Sequence, residues 1–481
     1  MHRADTTTPT PAHDPHAHDQ SARQPWAALV LLAVAQFMVI LDVTVVNVAL
    51  PSIGTALDFA RADLQWVITA YVLFTGGLML LGGRLADLLG ARRVFGAGLA
   101  VFTGASLLSG LAWSPDALIV ARAAQGIGAA MLLPSALTLI TITYNGPQRA
   151  VALGVWGALG SAGAAAGVLL GGVITTVLSW EWVFFINVPI GIAVALCVPH
   201  VLAAAPARRG AGRRLDLAGA ATVMGGLVAL VYAISGASTH GWTSTRTLVI
   251  GGVAVVLLAA FATIERTGTH PLVPAATWRV RSLISSATVM LGATGVLVGT
   301  FFLNTLFLQD ALDASPLETG LAFLPLALVI LIAAHLASHL LSHLGTRNVM
   351  ALGLVICAAG ALLLSAAPAD ARYVADLLPG FLALGFGIGL TFVAVSVTAM
   401  NDVAHEQAGL ASGFMTTGHE LGAALGVAVF ASVAAGASGG IAEGYGDGFV
   451  VAAGIAAVLA LLALVAVPSV RPAAGARLSM H

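Results

Sequence analysis

Among the ionisable side chains inside apolar stretches, where charge is costly, Asp42, Arg122, His419 and Glu420 are the ones placed to do chemistry. Asp42 falls within ILDVTVVNVALP, residues 40–51, in an apolar run that opens at Trp26. A carboxylate in hydrocarbon costs at least about 3 kcal/mol and is usually retained for a function. At 1.5 Å per helical residue, Asp42 lies roughly 24 Å along a helix begun at Trp26, and Arg122 roughly 9 Å in from the opposite face. Their depths match, so they can interact directly or through water. A neighbouring guanidinium favours the ionised carboxylate and desolvation opposes it, so such a site can take up and release a proton as its access to water changes. The plainer reading is a structural ion pair between two helices. Glu420 lies roughly 18 Å into its own run, near the midplane. There it could select a cationic substrate or serve as a second proton site, or simply be a protonated acid hydrogen-bonded between helices. His419 precedes it on a different face and is a candidate cavity residue.

Other chemistry is excluded or weak. All 20 basic residues are arginine. Without lysine there is no Walker A loop and no Schiff base, so work across a membrane must draw on an ion gradient or on another chain. Cys197 and Cys357 give neither a disulfide framework nor a metal spacing. His13, His16 and His18 read as part of a solvated tail. His335, His339 and His343 share one helical face, and a metal needs ligands converging from more than one direction. No metal and no cofactor beyond a proton gradient is expected. GASGG, residues 436–440, fits a nucleophile-elbow pattern around Ser438 but follows a membrane span rather than a strand. HEQAG and HELGA, at His405 and His419, lack the second histidine of a zinc protease.

The elements that must position these residues follow from composition. The 481 residues are 59% hydrophobic and 9% charged, against about 25% charged in a soluble domain. Such a chain is a multi-pass membrane protein. Apolar runs fall near 26–50, 63–83, 92–113, 116–140, 149–175, 182–203, 217–237, 245–265, 284–309, 318–341, 346–367, 376–398, 408–434 and 449–468. Fourteen spans put both termini on one side. Sixteen arginines then fall on that side and only Arg61, Arg246 and Arg372 on the other, with Arg122 inside a span. The bias makes the termini cytoplasmic.

The chain also repeats itself. GRLADLLGARRV, residues 83–94, and SHLLSHLGTRNV, residues 338–349, share G-x-R-x-V at an offset of 255. Gly163, Gly167 and Gly171 recur as Gly418, Gly422 and Gly426 at the same offset, while Gly126/Gly128 and Gly387/Gly389 pair at 261. A duplicated six-span unit with two spans inserted between the copies is a transporter architecture. Each ladder of three glycines lies on one helix face and lets backbones approach closely, as tight halves rocking on one another require.

LDVTVVNVALP, GRLADLLGARRV, ARAAQGIGAAMLLPSAL and WEWVFFINVPIG together resemble the fourteen-span branch of the drug:proton antiporters in the major facilitator superfamily, over residues 26–470. The resemblance implies an all-α integral membrane fold of two six-helix bundles plus two extra central helices. It implies proton-coupled efflux of lipophilic, possibly cationic drugs or antibiotics by alternating access, with Asp42 and Arg122 coupling the proton. It associates Gly163, Gly167 and Gly171 with antiport, and makes Asp87 in the loop after the second span a latch of the outward-open state, with Gly90, Arg92 and Arg93 beside it. The chain departs from the pattern at Val168, where proline is usual, at Glu181 in place of arginine, at Leu88 in place of a basic residue, and at Glu420, where glutamine is commoner.

The expected organisation is a disordered cytoplasmic tail over 1–25, a bundle over 26–203, a linker and inserted pair over 204–283, a second bundle over 284–470 and a tail over 471–481. The expected partners are a small lipophilic substrate, protons and the lipid bilayer, with no nucleic acid, in a monomer of the plasma membrane. A dedicated exporter of one endogenous metabolite and an intramembrane hydrolase at Ser438 are the rival functions.

Overall fold

The computed structural model describes residues 15–60, 62–202, 216–268, 272–273, 277–403, 408–437 and 441–471, and its regular structure there is all helical. The first half comprises α1 (Pro15–Ala56), α2 (Trp66–Leu89), α3 (Ala91–Gly110), α4 (Pro115–Thr143), α5 (Gly146–Val177), α6 (Trp182–Phe185) and α7 (Asn187–Val201). The inserted pair is α8 (Leu217–His240) and α9 (Thr245–Thr267). The second half comprises α10 (Arg281–Leu306), α11 (Pro316–Leu344), α12 (Thr346–Ser365), α13 (Leu378–Asn401), α14 (Ala408–Gly436) and α15 (Ile441–Ala466). Among the described residues 13 helices are long and apolar enough to cross a membrane, taking α6 and α7 together as Trp182–Val201. The remaining expected span, 149–175, falls on α5.

Local chemistry sets the helix ends. Ser114 caps α4 ahead of Pro115, and Ser315 with Glu318 forms a reciprocal capping box on α11. The first helix reaches back to Pro15, into the segment expected to be disordered. Proline suits a first helical turn, and the alanines, glutamines and arginine that follow carry helix propensity. The expected loop after the second span shrinks to one residue: Gly90, at φ 93°, ends α2 and α3 begins at Ala91. Asp87 therefore sits in the last turn of α2 rather than in a loop. Gly345, at φ 77°, does the same between α11 and α12. These backbone angles favour glycine because a Cβ is disfavoured there.

The repeat is visible as contacts. Asp58 and Asp313, 255 residues apart, each close an Ala-Leu-Asp turn with φ of 53° and 52°. Gly167 and Gly171 pack on Leu41 and Val45 of α1, while Gly422 and Gly426 pack on Leu291 and Gly295 of α10. The ladders thus lock α5 to α1 and α14 to α10, each within its own half, and do not form the contact between halves. Gly128 lies on Gly98 and Phe102 of α3, and Gly387 on Gly353 and Cys357 of α12. Gly126 lies on Tyr71 and Gly385 on Leu326. The structural offset for these helices is 259, not 261. The run GFGIG, residues 385–389, offers two G-x-G registers, and packing selects the earlier one.

The halves meet at the end away from Gly90 and Gly345. There a Cβ on Gly172 would lie 2.6 Å from the Pro316 carbonyl, and one on Gly320 would lie 2.7 Å from that of Val168. Gln309 donates to the Val48 carbonyl at 2.9 Å. Toward the arginine-rich end, α5 and α11 part. On the α11 face that holds Gly320, Gly320 is buried, Leu324 and Ala327 are half-buried, and Leu331, His335 and Ser338 are exposed. Their spacing keeps them on one side of the helix. The conformer is closed at one end and open at the arginine-rich end.

Gly426→Ala should lower the thermal unfolding midpoint in detergent, at a cost of about 1–3 kcal/mol, because its methyl meets the Gly295 backbone. Gly454→Ala, with no atom within 4 Å of its Cβ, should leave the midpoint unchanged or slightly raised.

Candidate functional site

α1 and α4 bring Asp42 and Arg122 into direct contact, with Nη1 2.5 Å from Oδ2. Both are sealed from solvent, at 1% and 0% exposure. The carboxylate is fully engaged: Gln125 Nε2 and Asn187 Nδ2 each donate to Oδ1 at 2.8 Å. Three N–H donors, from Arg122, Gln125 and Asn187, thus converge on one carboxyl group. Arg122 also donates through Nε to the Val67 carbonyl at 2.9 Å and through Nη1 to Gln125 Oε1 at 2.7 Å. Its guanidinium lies over the Tyr71 ring, 4.3 Å from the centroid, with Phe184 at 5.7 Å. A cation over an aromatic face is stabilised most where water is excluded. Asn187 is itself held by Ser106 Oγ at 3.0 Å, and Ser106 donates to the Phe184 carbonyl at 2.9 Å.

Gln125 and Asn187 are the site residues that reasoning from the sequence passed over. Gln125 stands three residues after Arg122, so it shares that helix face. Asn187 opens α7, just past the break at Ile186 that splits the expected sixth span in two. Its position inside WEWVFFINVPIG was the available signal.

Among the described residues the second half holds no such cluster. The ladder contacts place Gly292 where α1 has Asp42, and the 259 offset places Phe381 and Leu384 where α4 has Arg122 and Gln125. Phe381 stacks on Phe323, with centroids 5.7 Å apart. The duplicated scaffold is charged on one side and aromatic on the other.

Glu420 sits where the halves touch. A Cβ on Gly76 of α2 would lie 2.6 Å from the Glu420 Cβ, so α14 abuts α2 there with no side chain between them. The Glu420 side chain is 16% exposed, far more reachable than Asp42. His419 does not point wholly away, as expected from sequence: its Nδ1 is 3.6 Å from Glu420 Oε1, and its ring is 6.1 Å from Phe392.

The gating candidates scatter. Arg92 donates to the Pro199 carbonyl of α7 at 3.2 Å, and Arg93 is exposed. Asp87 has no ion pair among the described residues, in a conformer whose arginine-rich end is open. Gly163, Gly167 and Gly171 face α1. His335 and His339 have ring centroids 5.6 Å apart on the exposed face of α11, and no group of three metal-binding side chains occurs among the described residues. Ser438, His405, His13 and the side chains of His16 and His18 lie outside the described residues.

Comparison with known proteins places this geometry in a family context. Residues 32–427 match the Major Facilitator Superfamily. The chain is 41% identical over 411 residues to a puromycin resistance protein of Streptomyces alboniger, covering 83% of this chain and 80% of the relative. It is 41% identical over 401 residues to a cephamycin export protein of Amycolatopsis lactamdurans, covering 82% of each. The human organic anion transporter MFSD10 shares the fold, with a TM-score of 0.61 at 17% identity over 91% of this chain and 99% of that one.

Removing one partner of a buried pair strands the other. Arg122→Ala should cost about 3–5 kcal/mol in detergent unfolding. Combining it with Asp42→Asn should recover much of the loss, since the carboxylate is then neutral. Additive losses in the double variant would show that the two side chains do not depend on each other.

Proposed function

The chain belongs to the Major Facilitator Superfamily, and from that premise we propose that it is a proton-coupled exporter of amphipathic, cationic drugs or antibiotics. It is a transporter rather than an enzyme, as its relatives are named for resistance and export. The carrying observation is the sealed Asp42–Arg122 pair inside a membrane-spanning bundle.

In this reading both termini and the arginine-rich end face the cytoplasm across the plasma membrane, and the chain works as a monomer. The conformer open at that end, with Asp42 paired to Arg122, is the state left once a proton has been released inward. In the opposite orientation a proton arriving from outside neutralises Asp42 and breaks its pair with Arg122. The guanidinium is not stranded, because the Val67 carbonyl and Gln125 Oε1 still accept from it. The Gln125 and Asn187 amides can still donate to the neutral acid's carbonyl oxygen. Protonation thus weakens one interhelical link between α1 and α4 while the guanidinium keeps its neutral acceptors and the Tyr71 ring, which gives a two-state element.

Glu420 supplies the preference for cations. It is the partly exposed carboxylate at the contact between halves, so a positive substrate group can approach it from the open end. A potential of 100 mV contributes about 2.3 kcal/mol per charge moved. One proton therefore supports tens-fold accumulation, since each 1.4 kcal/mol is about tenfold. Relatives named for single antibiotics support a narrower alternative, export of one compound by the same mechanism. A toxicity panel that shifts for only one compound selects that alternative.

Inverted membrane vesicles with an imposed pH gradient test the reading. The native chain should accumulate ethidium in proportion to the gradient, and Asp42→Asn should lose that dependence. Glu420→Gln should lower ethidium transport several-fold relative to neutral chloramphenicol. Native rates and native pH dependence in Asp42→Asn would remove the proton role. An unchanged ratio in Glu420→Gln would remove the selectivity role.

A further inference from the structure

The two seams between the halves are not equivalent. The α5/α11 seam opens toward the arginine-rich end, as the rise in exposure from Gly320 to Ser338 shows. The α2/α14 seam stays shut in the same direction: Gly76 meets Glu420, and further along a Cβ on Gly413 would lie 3.8 Å from Leu80.

α8 packs on this shut seam, touching α2 in one half and α14 in the other. Its attachment to α2 is built from specific contacts. Gln65 Nε2 donates to Ser235 Oγ at 2.6 Å in a buried position. Trp66 and Tyr232 lie 6.2 Å apart. The Met224 sulfur fills the space over Gly77 where a Cβ would stand. α9 lies outside α8 and is only 11% buried in its most apolar window, so its surface is left to lipid. Among the described residues α8 packs on α2, α14 and α9 rather than along the α5/α11 seam.

We propose that the inserted pair α8–α9 closes the α2/α14 seam to lipid, leaving the α5/α11 seam as the lateral door by which an amphipathic organic molecule passes from the inner leaflet toward Glu420. This rests on the exporter reading. The wall of the door suits that cargo: Leu331 offers apolar surface, while His335 and Ser338 on the same face offer hydrogen-bonding groups. An apolar body partitions from water into a bilayer, so the membrane concentrates such molecules at a side entrance. It gives no such advantage to an entrance reached only from water.

The test uses the full-length chain with Cys197→Ser, since Cys197 is exposed and Cys357 is buried. Single cysteines at Leu331→Cys, Ser338→Cys, Leu80→Cys and Val253→Cys are treated with a maleimide carried on a long alkyl chain dissolved in the bilayer. Modification is followed by mass. Leu331→Cys and Ser338→Cys should be modified and Leu80→Cys spared. Modification should slow ethidium transport several-fold in Leu331→Cys but not in Val253→Cys, on the lipid face of α9. Adding Gln65→Ala and Met224→Ala should make Leu80→Cys reactive. Equal modification of Leu80→Cys and Leu331→Cys with the α8 contacts intact would overturn the proposal, as would native transport after modification at Leu331→Cys. If the unmodified protein moves no ethidium, the exporter reading fails, while the modification pattern still decides which seam is open to lipid.

Discussion

A buried carboxylate needs a cation, and here one arginine answers it. At 0–1% exposure neither Asp42 nor Arg122 has water to fall back on, so each is held in place by its need for the other. The surrounding polar groups follow from that pairing. Gln125 bridges both partners, Asn187 completes the carboxylate, Ser106 holds Asn187, and Tyr71 lies under the guanidinium. These residues come from α1, α2, α3, α4 and α7, so the pair organises most of the first half. Its strength depends on the low dielectric around it, and any movement that admits water or a proton weakens it. A link that is strong when dry and weak when wet is suited to sensing which face of the protein is open.

The scaffold around the pair is built by backbone proximity. Glycines at 167, 171, 422 and 426 bring helices together within each half, and Gly172, Gly320 and Gly76 bring the halves together. Without a hydrophobic force between helices in lipid, such packing supplies the association. Rigid halves joined by fewer contacts can rock as bodies. The same duplication was then used unequally, with the buried ion pair in the first half and Phe323 stacked on Phe381 in the second. α8 adds a further asymmetry by leaning on one seam only.

Much of this was legible in the residues. Apolar run length gave the spans, and the Asp42–Arg122 contact followed from depth along two helices. The glycine ladders announced close packing, but periodicity alone does not name the partner, and they proved to face α1 and α10 rather than the opposite half. GFGIG carried two registers that only contact with α12 separates. Asn187 was passed over because a single uncharged amide in an apolar run carries no signal of its own, and its role shows only in its contact with Asp42. The position of α8 depends on packing between distant segments, Gln65 with Ser235 and Gly77 with Met224, which leaves no local pattern.

The central claim is that Asp42 itself gains and loses a proton. Infrared difference spectroscopy of the purified protein between acid and alkaline pH reads this directly, with Glu420→Gln as background so that the Glu420 carboxyl is silent. A carbonyl stretching band of a buried carboxylic acid should grow as pH falls and vanish when Asp42→Asn is added. If that band is absent, or persists unchanged in the Asp42→Asn variant, then Asp42 stays ionised throughout and the proton is carried elsewhere.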